Sequence, residues 1–255
     1  MSTVSIPEDP RLTSRLLAKE FDASHLRSAR SQGIQVGLAV SLYGISFGAL
    51  AVALGFSVPQ TAVLSLFMFS GASQFAFIGI IASGGVAAAG AAIASAGLLG
   101  VRNGLYALRM SPLVGAGFWK RAAAAQVTID ESTAVAIAQT DVRAARHGFW
   151  TTGLVIYVGW NLATLVGALA GNAIGDVRSW GLDAVAAAAF LALLWPRLSA
   201  REPVAVACGA AVVTMLLIPV VPPGIPVLVV AVVAIGVAIY RHRVAPHAPE
   251  RTEGD

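Results

Sequence analysis

Residues 31–101 read SQGIQVGLAVSLYGISFGALAVALGFSVPQTAVLSLFMFSGASQFAFIGIIASGGVAAAGAAIASAGLLGV, 71 positions without an Asp, Glu, Lys, Arg or His. A soluble fold cannot hide that much apolar chain, since a span of about 20 such residues already matches the hydrocarbon thickness of a bilayer. The stretch therefore defines an all-α membrane protein. Its middle carries the polar heptapeptide Phe69-Ser-Gly-Ala-Ser-Gln-Phe75. A helix that only spans lipid has no packing need for Ser70, Gly71, Ser73 and Gln74 together.

The rest of the chain extends this reading. Of 255 residues, 57% are hydrophobic and 12% charged, against about 25% charged in soluble domains. Nearly the whole length is consumed by spans, leaving no soluble domain. The net charge of +4 belongs to Lys and Arg scattered at the ends of apolar segments, a topological pattern that gives no reason to expect a nucleic-acid partner. The single cysteine, Cys208, excludes a disulfide framework and a thiol pair. The first 30 residues hold five Lys or Arg and no apolar core, so they are not read as a cleavable signal. Arg11 to Arg30 is expected as a short amphipathic helix on the cytoplasmic leaflet. The expected organisation is a cytoplasmic tail at 1–32, a transmembrane domain at 33–241 and a cytoplasmic tail at 242–255.

Apolar runs predict spans at about 33–56, 58–82, 85–110, 121–140, 148–171, 180–197, 203–221 and 223–240, a polytopic bundle of seven or eight helices with a second one that can be broken. The fourth is the weakest, because Asp130 and Glu131 sit in its middle. With eight spans and the N-terminus inside, twelve basic residues fall inside, while Arg109, Lys120, Arg121 and Arg178 fall outside. Removing the fourth span leaves six inside and ten outside, so the positive-inside rule favours an even number. Gly44…Gly48, Gly167…Gly171 and Gly171…Gly175 place small residues four apart, the spacing of close helix crossings in lipid.

The polar heptapeptide has two readings. Small and hydroxyl residues tolerate unwinding and can present backbone N–H and C=O groups to a solute. Alternatively, Ser70 and Ser73 bond back to helix carbonyls and Gly71 is a crossing point. Gln74 favours the first, because a buried primary amide needs partners. Arg102 in the third span and Asp130 and Glu131 in the fourth are costly at membrane depth unless paired or hydrated. A pair of Arg102 with one acid neutralises both, and leaves the other carboxylate as a candidate proton carrier. Two adjacent carboxylates in low dielectric oppose each other's ionisation, which suits proton exchange. Asp183 opens the sixth span, where capping and the helix dipole favour an acid. Trp160-Asn161 offers an aromatic wall and an amide. Histidines at membrane depth, metal clusters and phosphate-binding loops are absent from the sequence, so neither an intramembrane hydrolase nor an ATPase is expected, and no metal or cofactor.

In order along the chain, Gly44-Ile-Ser-Phe-Gly48, Phe69-Ser-Gly-Ala-Ser-Gln74, Arg102-Asn103, Asp130-Glu131, Tyr157-Val-Gly-Trp160 and Gly181-Leu-Asp183 resemble the AzlC family of branched-chain amino-acid permeases, the large subunit of a two-component exporter. The resemblance covers about residues 33–200. It implies a multi-pass protein of the bacterial cytoplasmic membrane with its N-terminus inside, exporting leucine, isoleucine, valine and sometimes methionine, coupled to protons or membrane potential, with a small AzlD-type partner subunit. Family members usually carry an Asn two residues before the Arg of the third span; here that position is Gly100, and Asn103 follows the Arg. Joined to the residue reading, this makes Ser70, Gly71, Ser73, Gln74, Asn103, Trp160 and Asn161 the expected substrate contacts, with Phe69 and Phe75 lining the apolar side. Arg102, Asp130, Glu131 and Asp183 are the expected proton-coupling or ion-pair residues. The competing class is a non-transporting scaffold or accessory subunit, whose polar residues would bond across a subunit interface.

Overall fold

The computed structural model describes residues 10–174, 191, 195, 198–199 and 201–244, and among these every regular element is helical. Ten α-helices are described: α1 Pro10–Ser41, α2 Tyr43–Ala53, α3 Val58–Phe67, α4 Gly71–Gly84, α5 Ala89–Val114, α6 Phe118–Gln126, α7 Asp130–Ile137, α8 Val142–Ile174, α9 Arg201–Leu217 and α10 Ile225–Val244. Three stretches are long and apolar enough to cross a membrane: Ala23–Ala53, Val86–Val114 and Val142–Ala173. Shorter apolar helices accompany them. Apart from Leu191 and Trp195, the sixth predicted span lies outside the described residues, as do Arg178 and Asp183. The amphipathic segment expected at Arg11 to Arg30 is continuous with the first span, since α1 runs without a break to Ser41.

The chain divides into two compact units, Met1–Gln74 with Leu99–Asp183, and Phe75–Leu98 with Ala184–Asp255. The first is organised around α8, on which α1, α2, α3 and α7 all pack. Leu154, Val158, Leu162, Leu165 and Leu169 form an exposed apolar stripe along α8, at the three- and four-residue steps that put side chains on one helix face. The buried face mixes small and hydroxyl residues, Thr152, Thr164 and Ala168 among them, with the large Phe149, Ile156 and Trp160. An apolar exposed stripe beside small residues at the helix contacts is the pattern expected where lipid is the solvent and small residues let helices meet.

Glycine spacing sets that meeting. A methyl at Gly44 would stand 2.7 Å from the Trp160 carbonyl, one at Gly48 would overlap the Thr164 carbonyl, and one at Gly167 would overlap the Ile45 carbonyl. The Gly44…Gly48 and Gly167…Gly171 faces read from the sequence are thus two sides of one crossing. The pairs Gly33 with Thr152, Gly37 with Val155 and Gly48 with Thr164 make α1–α2 parallel to α8. Helix α3 runs the other way along α8. It starts at a Ser57 cap, where the Ser57 N–H donates to Gln60 Oε1 at 2.9 Å and Gln60 N–H to Ser57 Oγ at 3.4 Å, and passes Thr164 at Ser65.

The fourth predicted span departs from a single crossing. Helices α6 and α7 are separated at Val127-Thr128-Ile129, and both outer ends of this hairpin lie at the N-terminal end of α8. Arg146 Nε donates to the Leu113 carbonyl at 2.7 Å, Arg121 bonds Ser111 Oγ and the Gly115 carbonyl, and Gln139 Nε2 reaches Gln32 Oε1 of α1 at 2.9 Å. The hairpin's tip lies deeper: a methyl at Gly153 would touch Val127 at 2.8 Å, and Met110, Val114, Ala124, Val127, Ala136 and Phe149 close one buried cluster beneath it. From Arg146 to Tyr157 is about 16 Å along α8 at 1.5 Å per residue. The departure has local causes. Three β-branched residues at the break are poor helix formers. Ser132 Oγ accepts from Ile129 N–H at 3.1 Å and lies 2.8 Å from the Val127 carbonyl, to which it donates. The carboxylates Asp130 and Glu131 occupy the first turn of α7, where the helix dipole stabilises them. The charge count changes accordingly: Arg109, Lys120 and Arg121 share one end of this unit with Arg27, Arg30, Arg143 and Arg146, instead of facing them across the bundle.

In the second unit, the later part of α4 and the start of α5 pair through Ile80, Ala88 and Ala92, flanked by Phe77, Ile81 and Ala91. Helices α9 and α10 pack on each other. Their connection turns at Gly224 (φ +89°), which approaches so closely that an added methyl would stand 2.7 Å from Ala91 Cβ.

Candidate functional site

The Phe69–Phe75 segment is where a helix stops and another begins. Met68 leaves the helical region (φ −98°, ψ 67°), Ser70 N–H turns back to the Met68 carbonyl at 2.8 Å, and α4 resumes with Gln74 N–H on the Ser70 carbonyl at 2.9 Å. Serine and glycine in succession disfavour helix through competing side-chain bonds and backbone freedom. A break at membrane depth strands the last carbonyls of α3, which water cannot satisfy there. One backbone N–H and three side chains take that role. Met68 N–H covers the Leu64 carbonyl. Gln74 Nε2 lies 3.5 Å from the Ser65 carbonyl. The Leu66 carbonyl accepts from Gln126 Nε2 at 2.9 Å and from Tyr157 Oη at 3.3 Å.

Gln74 is fully buried and is held at both ends of its amide, because Trp160 Nε1 donates to its Oε1 at 3.0 Å. The Trp160 indole stacks with Phe47 at 6.4 Å and lies over Gly71, where an added methyl would stand 3.3 Å from the ring. Phe69 meets Tyr157 edge to face at 5.0 Å. Ser73 donates to Ser70 Oγ at 3.0 Å. Ser65 and Thr164, both fully buried, bridge α3 to α8 at 3.4 Å.

Helix α5 brings the third group. Gly100 is the residue of α5 beside Ser73: a methyl added to the glycine would stand 3.8 Å from Ser73 Oγ. Asn103 is one turn further on the same face, and its Oδ1 is buried without a hydrogen-bond partner. Arg102 Nη1 pairs with Asp130 Oδ2 at 3.3 Å, each side chain 29% exposed. The acid chosen is Asp130, while Glu131 stands beside it in the first turn of α7. Asn161 uses its Nδ2 on the Tyr157 carbonyl at 2.7 Å and leaves Oδ1 buried and unpartnered.

Of the residues singled out from sequence, Ser70, Gly71, Ser73, Gln74 and Trp160 are in contact around one break. Asn103 lies a turn beyond the Gly100–Ser73 approach, and Asn161 adjoins Trp160. Arg102 and Asp130 pair, with Glu131 adjacent. Phe75 is buried at the start of the second unit, and Asp183 is outside the described residues. Sequence reasoning missed Ser65, Thr164 and Gln126, and it quoted Tyr157 without a role. Gln126 carried a signal, as the lone amide ending the run Ala122-Ala-Ala-Ala-Gln126, but its partner is 60 residues away.

A polytopic helical chain with an ion pair and a braced helix break among apolar helices is of the integral-membrane class. The model of the AzlC family, described as AzlC protein, matches residues 35–174, more than half of the chain. This protein belongs to the AzlC family, a family of membrane permeases. Neither the curated proteins nor the solved structures contain a match.

Proposed function

We propose that this protein is a secondary transporter that exports leucine, isoleucine, valine and other small apolar amino acids, driven by protons and working with a small AzlD-type membrane subunit. The observation that carries the reading is the break itself. The first turn of α4 opens at Gly71 at membrane depth, next to the Ser70–Ser73 hydroxyl pair and under the Trp160 ring. First-turn N–H groups and hydroxyls suit a substrate carboxylate. Asn103 Oδ1, buried and unpartnered, is an acceptor for the ammonium group. Phe69 and Trp160 supply apolar surface for an aliphatic side chain. Gln74, Ser65 and Thr164 hold the break in shape from behind.

Proton coupling is assigned to the carboxylates. Arg102 holds Asp130, and Glu131 beside it exchanges the proton. Efflux of labelled leucine, valine and methionine from vesicles with an imposed proton gradient, with and without the small subunit, tests the reading. Gradient-driven export that falls in Asp130→Asn or Glu131→Gln supports it. Export unaffected in both variants removes the carboxylates from coupling, and absence of any amino-acid flux in the two-subunit vesicles removes the transport reading.

A further inference from the structure

Two of the helix breaks among the described residues of the first unit touch. The first, Met68 to Ser70, interrupts α3–α4. The second, Val127 to Ile129, interrupts α6–α7. Gln126 is the last residue of α6, immediately before the second break, and its amide donates at 2.9 Å to the Leu66 carbonyl, two residues before the first. Tyr157, at the middle of α8, donates to that same carbonyl at 3.3 Å. On the far side of the second break stands Asp130, held by Arg102, and the first break ends at Ser70 with Gly71 just beyond it.

The two tips also approach from opposite directions along α8. The α6–α7 hairpin has both ends at the basic, N-terminal end of α8, by the Arg146–Leu113 and Gln139–Gln32 contacts. Helix α3 descends from the other end, passing Thr164 at Ser65 before reaching Tyr157 at Leu66. Backbone carbonyls stranded at a break are costly to leave unmade in a low dielectric. A carbonyl gripped by two donors from two other helices therefore does not shift freely: a tilt of the second tip either drags the first, against the Tyr157 bond to α8, or breaks the Gln126 bond.

We propose that the Leu66 carbonyl, gripped by Gln126 and Tyr157, is the joint that couples the two breaks, so that the state of the Arg102–Asp130 pair sets the geometry of the Ser70–Gly71 opening. Gln126 and Tyr157 are positioning residues. Within the proposed function, on which this inference builds, they convert protonation of the carboxylates into a change at the amino-acid site. Tyr157→Phe keeps the ring on Phe69 and removes only the donor. Gln126→Leu keeps the bulk and removes the other.

The joint can be tested without any transport assay. Cys208, which is exposed, is replaced by serine, and Ala72→Cys, partly exposed in the first turn of α4, becomes the reporter for labelling by N-ethylmaleimide. Asp130→Asn is expected to change the Ala72→Cys labelling rate by about fivefold or more. The Gln126→Leu/Tyr157→Phe pair is expected to bring the effect of Asp130→Asn to within about twofold. An unchanged rate in Asp130→Asn, or an effect of the same size with the joint removed, overturns the proposal. If the double variant is not monodisperse, Gln126→Leu alone must reduce the effect, because it removes the bond between the two breaks, and an undiminished effect there overturns it equally. Vesicle transport separates the two readings: coupled labelling without amino-acid flux keeps the joint and discards the substrate, whereas flux with uncoupled labelling does the reverse.

Discussion

Trp160→Phe probes whether the break is braced as the geometry implies. The variant removes Nε1–H, leaving Gln74 Oε1 without its partner at a position with no solvent exposure. A buried acceptor left unmade costs about 1–3 kcal/mol, and hydrogen bonds between membrane helices fall toward the low end because the unfolded chain finds partners too, so about 1–2 kcal/mol is expected. The smaller ring also retreats from Gly71 and Phe47, which the indole faces. That loss adds about 1–2 kcal/mol, less than the full truncation of an aromatic to alanine. The sum, about 2–4 kcal/mol, corresponds to a fall of roughly 4–16 °C in Tm for a chain of this size. Thermal unfolding in detergent micelles reads it. Gln74→Leu isolates the polar part: in the double variant with Trp160→Phe the two losses should fall short of additivity by about 1–2 kcal/mol, because the shared bond is lost only once. Additivity within about 0.5 kcal/mol, or a Trp160→Phe protein as stable as the parent, would refute the brace.

Three further outcomes follow from other contacts. Gly48→Leu and Gly167→Leu each insert a side chain into backbone of the facing helix, and should lower stability by about 3 kcal/mol or more, or abolish monodisperse protein, whereas Gly90→Leu, which meets open space, should not; equal behaviour of all three would contradict the crossing. Arg102→Met should destabilise by about 1–2 kcal/mol, discounted from a fully buried pair because both side chains are 29% exposed, and Asp130→Asn should restore much of it; no recovery in the double variant would argue against the pair. With Cys208 replaced, Lys120→Cys and Thr140→Cys, at the two outer ends of the α6–α7 hairpin, should react with an impermeant thiol reagent from the same side of the membrane, and reaction from opposite sides would restore the fourth span.

The residues that were legible in advance are those whose roles are local. Ser70, Gly71 and Ser73 announced a break because low helix propensity and polarity coincide in an apolar stretch. The glycines four apart announced a crossing because only a missing Cβ permits carbonyl contact. Arg102 required a carboxylate, and there were two in reach of the same depth. The segment 121–140 was the least legible, because hydropathy counts apolar residues and is blind to the direction of the chain after a break. Val127-Thr128-Ile129 and the acid pair mark the interruption, but only Arg146 on the Leu113 carbonyl and Gln139 on Gln32 reveal that the segment returns.

The sequence alone decided that the chain is an all-helical membrane protein and that its polar work lies near Ser70–Gln74 and Arg102, since long apolar runs without alternation satisfy their backbone in lipid as helices, and polar groups there are costly unless used. The tertiary structure decided the partners: that Gln74 faces Trp160 and Ser65, that Asp130 and not Glu131 takes Arg102, and that Gln126 reaches across 60 residues to Leu66. Hydrogen-bond partners are a matter of which helix faces lie within about 3 Å of each other, and helix direction, register and crossing, set by small residues far away in the chain, are what place them there.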